Sequence, residues 1–247
     1  MEKGKTPATN PAQNKDGKCD KAIYFKFHYK NPTMKYTLLL LALAGSLHAA
    51  DPVVLFDGTS LDAFTDAKGA APAPGWVIEE GALHRKEKAG DLISKKEFTN
   101  FELEWEWKVA PGANSGLKYW VNQFPKGGWL GIEFQMIDDV KHPDAVRGNT
   151  HNTACFYDIK PAAADKAVKP AGEWNTSKVI AKDGKVQHLL NGKLACEADT
   201  KSEEWKAAIA NSKFKAVEGF APGKGHILLQ DHGDEAWFKN IRITELP

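Results

Sequence analysis

Gly128–Asp139 reads GWLGIEFQMIDD, and the rest of the chain is interpreted outward from it. Ile132, Phe134 and Met136 alternate with Glu133, Gln135 and Ile137, the period-2 pattern of a strand that buries one face. The second face carries a carboxylate and an amide, unusual choices for a central strand. One extra residue near Ile137 would flip the alternation, and Asp138 would then rejoin the face of Glu133 and Gln135. Two carboxyls with an amide between them would stand within about 10–15 Å along one strand. The plainer reading is a solvated strand face that ends in an Asp-Asp turn.

Neighbouring stretches repeat the period. Phe101–Val109 sets Phe101, Leu103, Trp105, Trp107 and Val109 on one face, with Glu102, Glu104, Glu106 and Lys108 on the other. Those glutamates read as the solvated side of a sheet. Asn114 opens a strand through Val121 that carries Lys118 and Trp120 on one face. Glu80-Gly81 closes a hairpin of Trp76–Glu79 and Ala82–Arg85, while Asp183-Gly184 and Asn191-Gly192 close a meander between Trp174 and Glu197. The last two are favoured two-residue hairpin turns. Ala154–Asp158 reads as a short strand, and residues 159–172 as a long loop with two prolines. Lys201–Lys213 is the one good helix, with Thr200 and Glu203 at capping-box spacing. Two strands, Gly225–Asp231 and Ala236–Thr244, finish the chain. This inventory predicts an all-β sandwich of two antiparallel sheets with one short helix. The final strands should return to the middle of a sheet, as jelly-roll connections do.

The 247 residues fit one large domain with an appendage. Met34-Lys35 precedes an apolar, leucine-rich run that ends at Ala49-Ala50, the order of a secretory signal peptide. Residues 34–49 are therefore read as that signal, residues 1–33 as a mis-called upstream extension, and residues 50–247 as the domain. The expectation is export, to a periplasmic or extracellular location, with no integral membrane segment in the mature protein. Without residues 1–50 the chain keeps 25 basic and 29 acidic side chains. A mildly acidic surface argues against a nucleic-acid partner. Cys155 and Cys196 stay in the mature chain, free to pair or to act as small buried hydrophobes.

Polar residues recur on several strands. In Gly225–Gly233 (GHILLQDHG), His226, Leu228, Gln230 and His232 share one side. With Glu133, Gln135, Lys118 and Asn114 they are expected to line one concave face. Buried polar groups must find partners, so such convergence means a ligand cleft or a satisfied network. Trp120, Trp129 and Trp174 lie in or beside these stretches, and tryptophan beside amides and carboxylates is suited to gripping a sugar. The substrate-binding candidates are Asn114, Lys118, Trp120, Gln135, Trp174 and Gln230; the catalytic candidates are Glu133, His232 and Asp138. Asp138, Asp139 and His142 carry ligand-type side chains for a divalent cation, at a spacing that matches no known metal signature.

At this point the chain resembles a family. LFDGTSL at 55–61, WVIEEGAL at 76–83, FTNFELE at 98–104, Asn114-Ser115-Gly116 with Lys118, and Glu133-Phe134-Gln135 with Asp138-Asp139 carry the resemblance. So do GEWN at 172–175 and GHILLQDHGDEAWFKNI at 225–241. Together they resemble the 3-keto-disaccharide hydrolase domain family, secreted bacterial proteins of concanavalin A-like fold. The resemblance implies a carbohydrate substrate and cleavage of glycosides oxidised at C3. Where that family suggests Gly-Ala-x-Tyr-Asp, this chain has Ala154-Cys155-Phe156-Tyr157-Asp158. Glu133-x-Gln135-x-x-Asp138 also resembles the Glu-x-Asp-x-x-Glu strand of laminarinase-type glucanases, with an amide for the middle acid and a shorter last carboxylate. Two further functions stay open on these residues: a non-catalytic carbohydrate-binding module, and a retaining glucanase using Glu133 and Asp138.

Overall fold

The computed structural model describes residues 51–125 and 128–247; the stretches read from sequence as an extension (1–33) and a signal peptide (34–49) lie outside the described residues. The chain forms β1 (Val53–Phe56), β2 (Phe64–Thr65), β3 (Trp76–Glu79), β4 (Ala82–Arg85), β5 (Leu92–Phe98), β6 (Phe101–Val109), β7 (Asn114–Phe124) and β8 (Gly128–Ile137). Then follow β9 (Asn175–Lys182), β10 (Lys185–Leu190), β11 (Lys193–Asp199), α1 (Glu203–Ala210), β12 (Gly225–Leu229) and β13 (Ala236–Glu245). Two antiparallel sheets result. The larger runs β11-β10-β9-β6-β13-β4-β3, with β1 also on β13, and the smaller runs β2-β5-β12-β7-β8. The last two strands each enter the middle of a sheet, as the sequence predicted.

The alternation in β6 and β8 builds the core. Leu103, Trp105 and Trp107 from the large sheet meet Leu117, Tyr119, Ile132, Phe134 and Met136 from the small one. Trp105 packs edge-on against Phe134 with ring centres 4.9 Å apart. Burying side chains of this size stabilises by about 1.5–3 kcal/mol each. Both meander turns take positive φ, at Asp183 and Gly184 and at Asn191 and Gly192, the conformation of the favoured hairpin turn.

The bulge expected near Ile137 is not there. Asn114 pairs with Ile137 in regular register, so Asp138 stays out of phase with Glu133. The register shift lies instead on the opposite strand, between Tyr119 and Asn122 of β7. Trp120 adopts φ 49° there, so Tyr119 and Trp120 both turn inward, and Val121 joins Ile93 and Leu228 in a small cluster apart from the main core. Trp120 is only 1% exposed. Its indole N–H donates to the Thr99 carbonyl at 2.9 Å. A buried core residue is unavailable to a ligand, which corrects its expected substrate-binding role.

The helix is shorter than predicted, and its cap is Ser202 rather than Thr200: the Ser202 hydroxyl accepts from the Trp205 amide at 3.1 Å. Ala154–Asp158 is not a strand but makes isolated bridges, Phe156 to Phe134 and Phe156 to Lys160. It still extends the edge of β8, because the Ala154 and Tyr157 amides donate to the Gln135 and Glu133 carbonyls. Cys155 and Cys196 are both buried free thiols. Among the described residues no helix is long and apolar enough to cross a membrane.

Candidate active site

Glu133 faces away from the core because its neighbours Ile132 and Phe134 face into it. Lys118 is its register partner across β7 and β8, and the ammonium lies 3.8 Å from Glu133 Oε2. Gln230 joins them from just beyond β12, where its amide N–H donates to the Gly116 carbonyl at 2.9 Å. With its side-chain nitrogen toward the carboxylate and its oxygen toward the ammonium, Gln230 donates to Glu133 Oε1 and accepts from Lys118 Nζ, each at 3.3 Å. Two paired strand positions and the residue that follows β12 thus converge on one polar cluster. Glu133 is 4% exposed, so this is a carboxylate withdrawn from bulk water and held by a cation and an amide. Gly116 makes room for it: a Cβ there would stand 2.5 Å from Glu133 Oε1.

A second layer comes from the loop after β8. The Tyr157 hydroxyl donates to Asp144 at 2.7 Å. Burial, that hydrogen bond and the charges of Asp144 and Glu133 push the Tyr157 phenol up. Burial raises Asp144, but the Tyr157 hydroxyl and Arg147 outweigh it and hold the carboxyl below its usual range. His151 meets the Tyr157 ring edge-on at 5.0 Å, and its Nε2 lies 3.4 Å from Asp158. Lys213, in the turn after α1, sets its ammonium 4.0 Å from the centre of the Tyr157 ring.

His232 belongs to another group, at the Asn114 end of β7. One ligand atom each from His142, His232 and Asp234 lies within 4.8 Å of the other two, with His142 Nε2 and His232 Nδ1 at 3.9 and 4.0 Å from Asp234 Oδ2. The Asn114 amide donates to Asp234 Oδ2 at 3.0 Å, and Asn114 Oδ1 is buried without a partner. Two imidazoles and a carboxylate are a plausible donor set for a transition metal, but the tautomer disagrees. His142 Nδ1 accepts from the Asp144 amide at 3.1 Å, which makes Nε2 the protonated nitrogen. A metal on Nε2 needs the proton on Nδ1 instead. His142 therefore turns its Nε2–H toward Asp234, at 3.9 Å too far for a direct hydrogen bond. Between them Asp91 accepts from the Asp231 amide at 2.9 Å, and burial pushes its carboxyl up.

The other metal candidates have different duties. Asp138 accepts from the Gly112, Val140 and Lys141 amides. Burial raises its carboxyl, but these donors outweigh that and hold it below the usual range. It is a turn anchor, not a partner to Glu133. Asp139 accepts from the Thr153 amide at 2.7 Å and pairs with Lys166 at 3.0 Å. Gln135 is buried and ties the loop down, its amide nitrogen donating to the His151 carbonyl at 3.4 Å. Trp174 is on the outer face of the large sheet, under the ammonium groups of Lys108 and Lys239, so it is not in the Glu133 cluster.

Tyr157, Asp144 and Lys213 were not read from the sequence as site residues. Tyr157 left a trace, since Ala154–Asp158 keeps the Tyr-Asp of the family's Gly-Ala-x-Tyr-Asp. Lys213 left none: it read as the end of a helix.

The chain matches the model of the 3-keto-alpha-glucoside-1,2-lyase-like domain over residues 51–244. A 3-keto-disaccharide hydrolase of Bacteroides thetaiotaomicron is 33% identical over 228 residues, which cover 78% of this chain and 78% of that one. The crystal structure of a candidate glycosyl hydrolase from Parabacteroides distasonis superposes with a TM-score of 0.72 at 32% identity, covering 79% of this chain and 94% of that one. A second structure from the same organism gives 0.62 at 26% identity, over 79% and 100%. The match spans both sheets and every residue of the Glu133 cluster, and the chain belongs to the 3-keto-alpha-glucoside-1,2-lyase-like domain family.

Proposed function

We propose that the protein cleaves glycosidic bonds, and that its substrates are glycosides carrying a ketone at C3. The observation that carries this reading is a buried carboxylate on the polar face with a cation and an amide beside it: Glu133 has Lys118 at 3.8 Å, while Asp138 is engaged in a turn. A retaining glucanase needs a second carboxyl about 5–5.5 Å away, and the Asp138 that sequence offered for that role is turned elsewhere. A ketone at C3 acidifies the proton on C2. One base then suffices to remove that proton, provided the enolate oxygen is stabilised. Glu133 is the base in this reading, Lys118 faces the developing enolate, and Gln230 holds the two in place. The pair of electrons from C2–H forms the C1–C2 double bond as the C1–oxygen bond breaks. Water then adds at C1 and the proton returns to C2, so the net reaction is hydrolysis. The names of the relatives support the substrate class.

The test pairs a 3-keto disaccharide with its ordinary parent in deuterated water. The expected result is cleavage of the 3-keto substrate only, with deuterium at C2 of early product above a no-enzyme control. Glu133→Gln should lower the rate by about 10²–10⁴, the usual worth of one general base. Early product without deuterium at C2 would sink the elimination route.

A further inference from the structure

Of the three tryptophans that the sequence set beside the polar stretches, Trp120 is buried and Trp174 lies on the other sheet. Trp129 remains, and the mechanism above gives it no role. It is partly exposed, and it shares the face of Glu133. Leu130, Ile132 and Phe134 pack on the core side of β8, so Trp129, Gly131 and Glu133 point the other way. The indole packs on Ile93, Val121 and Leu228, the small cluster apart from the main core. Ile93, Leu228, Lys118 and Glu133 are successive partners in one row across the small sheet. The floor under Trp129 therefore continues directly from the Lys118–Glu133 pair. The ring itself is fixed. Its N–H donates to the Ala67 carbonyl at 3.1 Å, and it meets the His226 ring of β12 edge-on, with centres 5.5 Å apart. His226 is held in turn, its Nδ1 lying 2.7 Å from the Ser94 carbonyl oxygen. Between Trp129 and Glu133 the strand is bare: a Cβ on Gly131 would stand 2.7 Å from Val121 Cγ2.

Trp129 precedes Glu133 by four residues on β8, about 13 Å along the strand. The sugar that gives up its C2 proton must lie within hydrogen-bond reach of Glu133, about 2.6–3.2 Å. That sugar cannot also stack on a ring so far down the strand, but the next sugar of a disaccharide can. Resting on the proposed reading of Glu133, we infer that Trp129 is the platform for the leaving sugar of a 3-keto disaccharide. In a disaccharide oxidised on its glycosyl unit, everything beyond C1 belongs to the leaving group. A pyranose presents an apolar C–H face, which suits the flat face of an indole. The indole N–H is already engaged by Ala67, so the ring offers contact rather than a hydrogen bond. Because the ring is held before the sugar arrives, little rotamer freedom is lost on binding. Trp129 touches no reacting atom in this arrangement. It makes the site prefer a sugar over a small alcohol as leaving group.

The experiment uses the whole protein and two substrates that share a 3-keto-α-glucosyl unit. One is the disaccharide with glucose as leaving group. The other is the trifluoroethyl glycoside, whose alcohol is about as acidic as a sugar hydroxyl but carries no ring. Trp129→Ala should raise KM for the disaccharide about tenfold, the worth of roughly 60 Å² of apolar contact. Its kcat should stay within about threefold, the pattern of lost binding rather than lost chemistry. On the trifluoroethyl glycoside KM should change less than about threefold. Trp129→Tyr keeps a flat ring and should recover most of the disaccharide KM. Should Trp129→Ala fail to fold with its cluster uncovered, Trp129→Leu covers Ile93, Val121 and Leu228 without a flat face, and the same substrate dependence is expected. Equal effects on the two substrates would reduce Trp129 to a cover for that cluster and overturn the platform; so would no effect on either. With label at C2 from the disaccharide, those outcomes overturn this inference alone. A wild-type protein inert toward both substrates, or one that cleaves the disaccharide without label at C2, would overturn the parent reading and this inference with it.

Discussion

At the scale of single residues, the site depends on an absence. Gly116 sits opposite Gln135 on β7, and the Glu133 carboxylate occupies the space a side chain would fill. Gly116→Ala would drive a carbon to 2.5 Å from Glu133 Oε1, and because φ at Gly116 is not positive the backbone itself tolerates alanine. The carboxylate must move. A shift near 1 Å costs about 10²-fold in rate, so kcat should drop about that much while the melting temperature changes little. Full activity in this variant would show that Glu133 does not act from where it rests. Glu133, Lys118 and Gln230 were legible because alternation alone assigns a face. Asp138 was misread because its place hung on an extra residue that the register does not contain. Tyr157 and Lys213 lie on loops, where no period links sequence to position.

Strands and turns were the most readable elements, since Asp183-Gly184 and Asn191-Gly192 announce their hairpins and the apolar alternation announces the sheets. What could not be read was the bulge in β7, because bulges follow from packing between strands rather than from local preference. Two glycines make room for it. A Cβ on Gly131 would lie 2.5 Å from the Tyr119 carbonyl oxygen, and one on Gly225 would lie 2.5 Å from the Val121 carbonyl oxygen. These neighbours are backbone atoms and cannot turn aside. Gly225→Ala should therefore destabilise by about 1–3 kcal/mol, the range for overpacking a filled interior. Chemical denaturation checks it, and an unchanged midpoint would mean that the bulge yields at no cost. The same element explains the fate of Trp120: with Tyr119 it is rotated inward, so the aromatic ring expected against the sugar packs edge-on against Phe101.

For the molecule as a whole, His188 is a fastening point. It projects from β10 into the core, where its ring bonds the Tyr119 hydroxyl at 2.8 Å and the Ala154 carbonyl at 3.0 Å. One side chain thus ties the large sheet to the small sheet and to the loop that carries Tyr157. Burial lowers its pKa from 6.5 to about 3. The folded state disfavours the charged ring, so the unfolded chain binds the proton first as pH falls. The contribution is complete above pH 6.5 and is lost between there and about 3, up to roughly 5 kcal/mol at about 1.4 kcal/mol per pKa unit. Denaturation midpoints measured from pH 7 to pH 4 should fall steeply for the wild type and less steeply for His188→Gln, even if the variant is weaker throughout. Parallel curves would show that the acid sensitivity comes from other groups. Strand order at this scale carries a consequence for biosynthesis. β12 joins β5 to β7, and β13 joins β6 to β4 and holds β1. Until residues 225–245 have emerged, the small sheet is two fragments, the large sheet is two fragments, and β1 has no partner. Translation at about 5–20 residues per second leaves those open strand edges exposed to other chains for many seconds. A nascent chain of this topology stays threadable until its end is made, and it gains closure in one late step that a protein-translocating pore or an edge-shielding chaperone has time to precede.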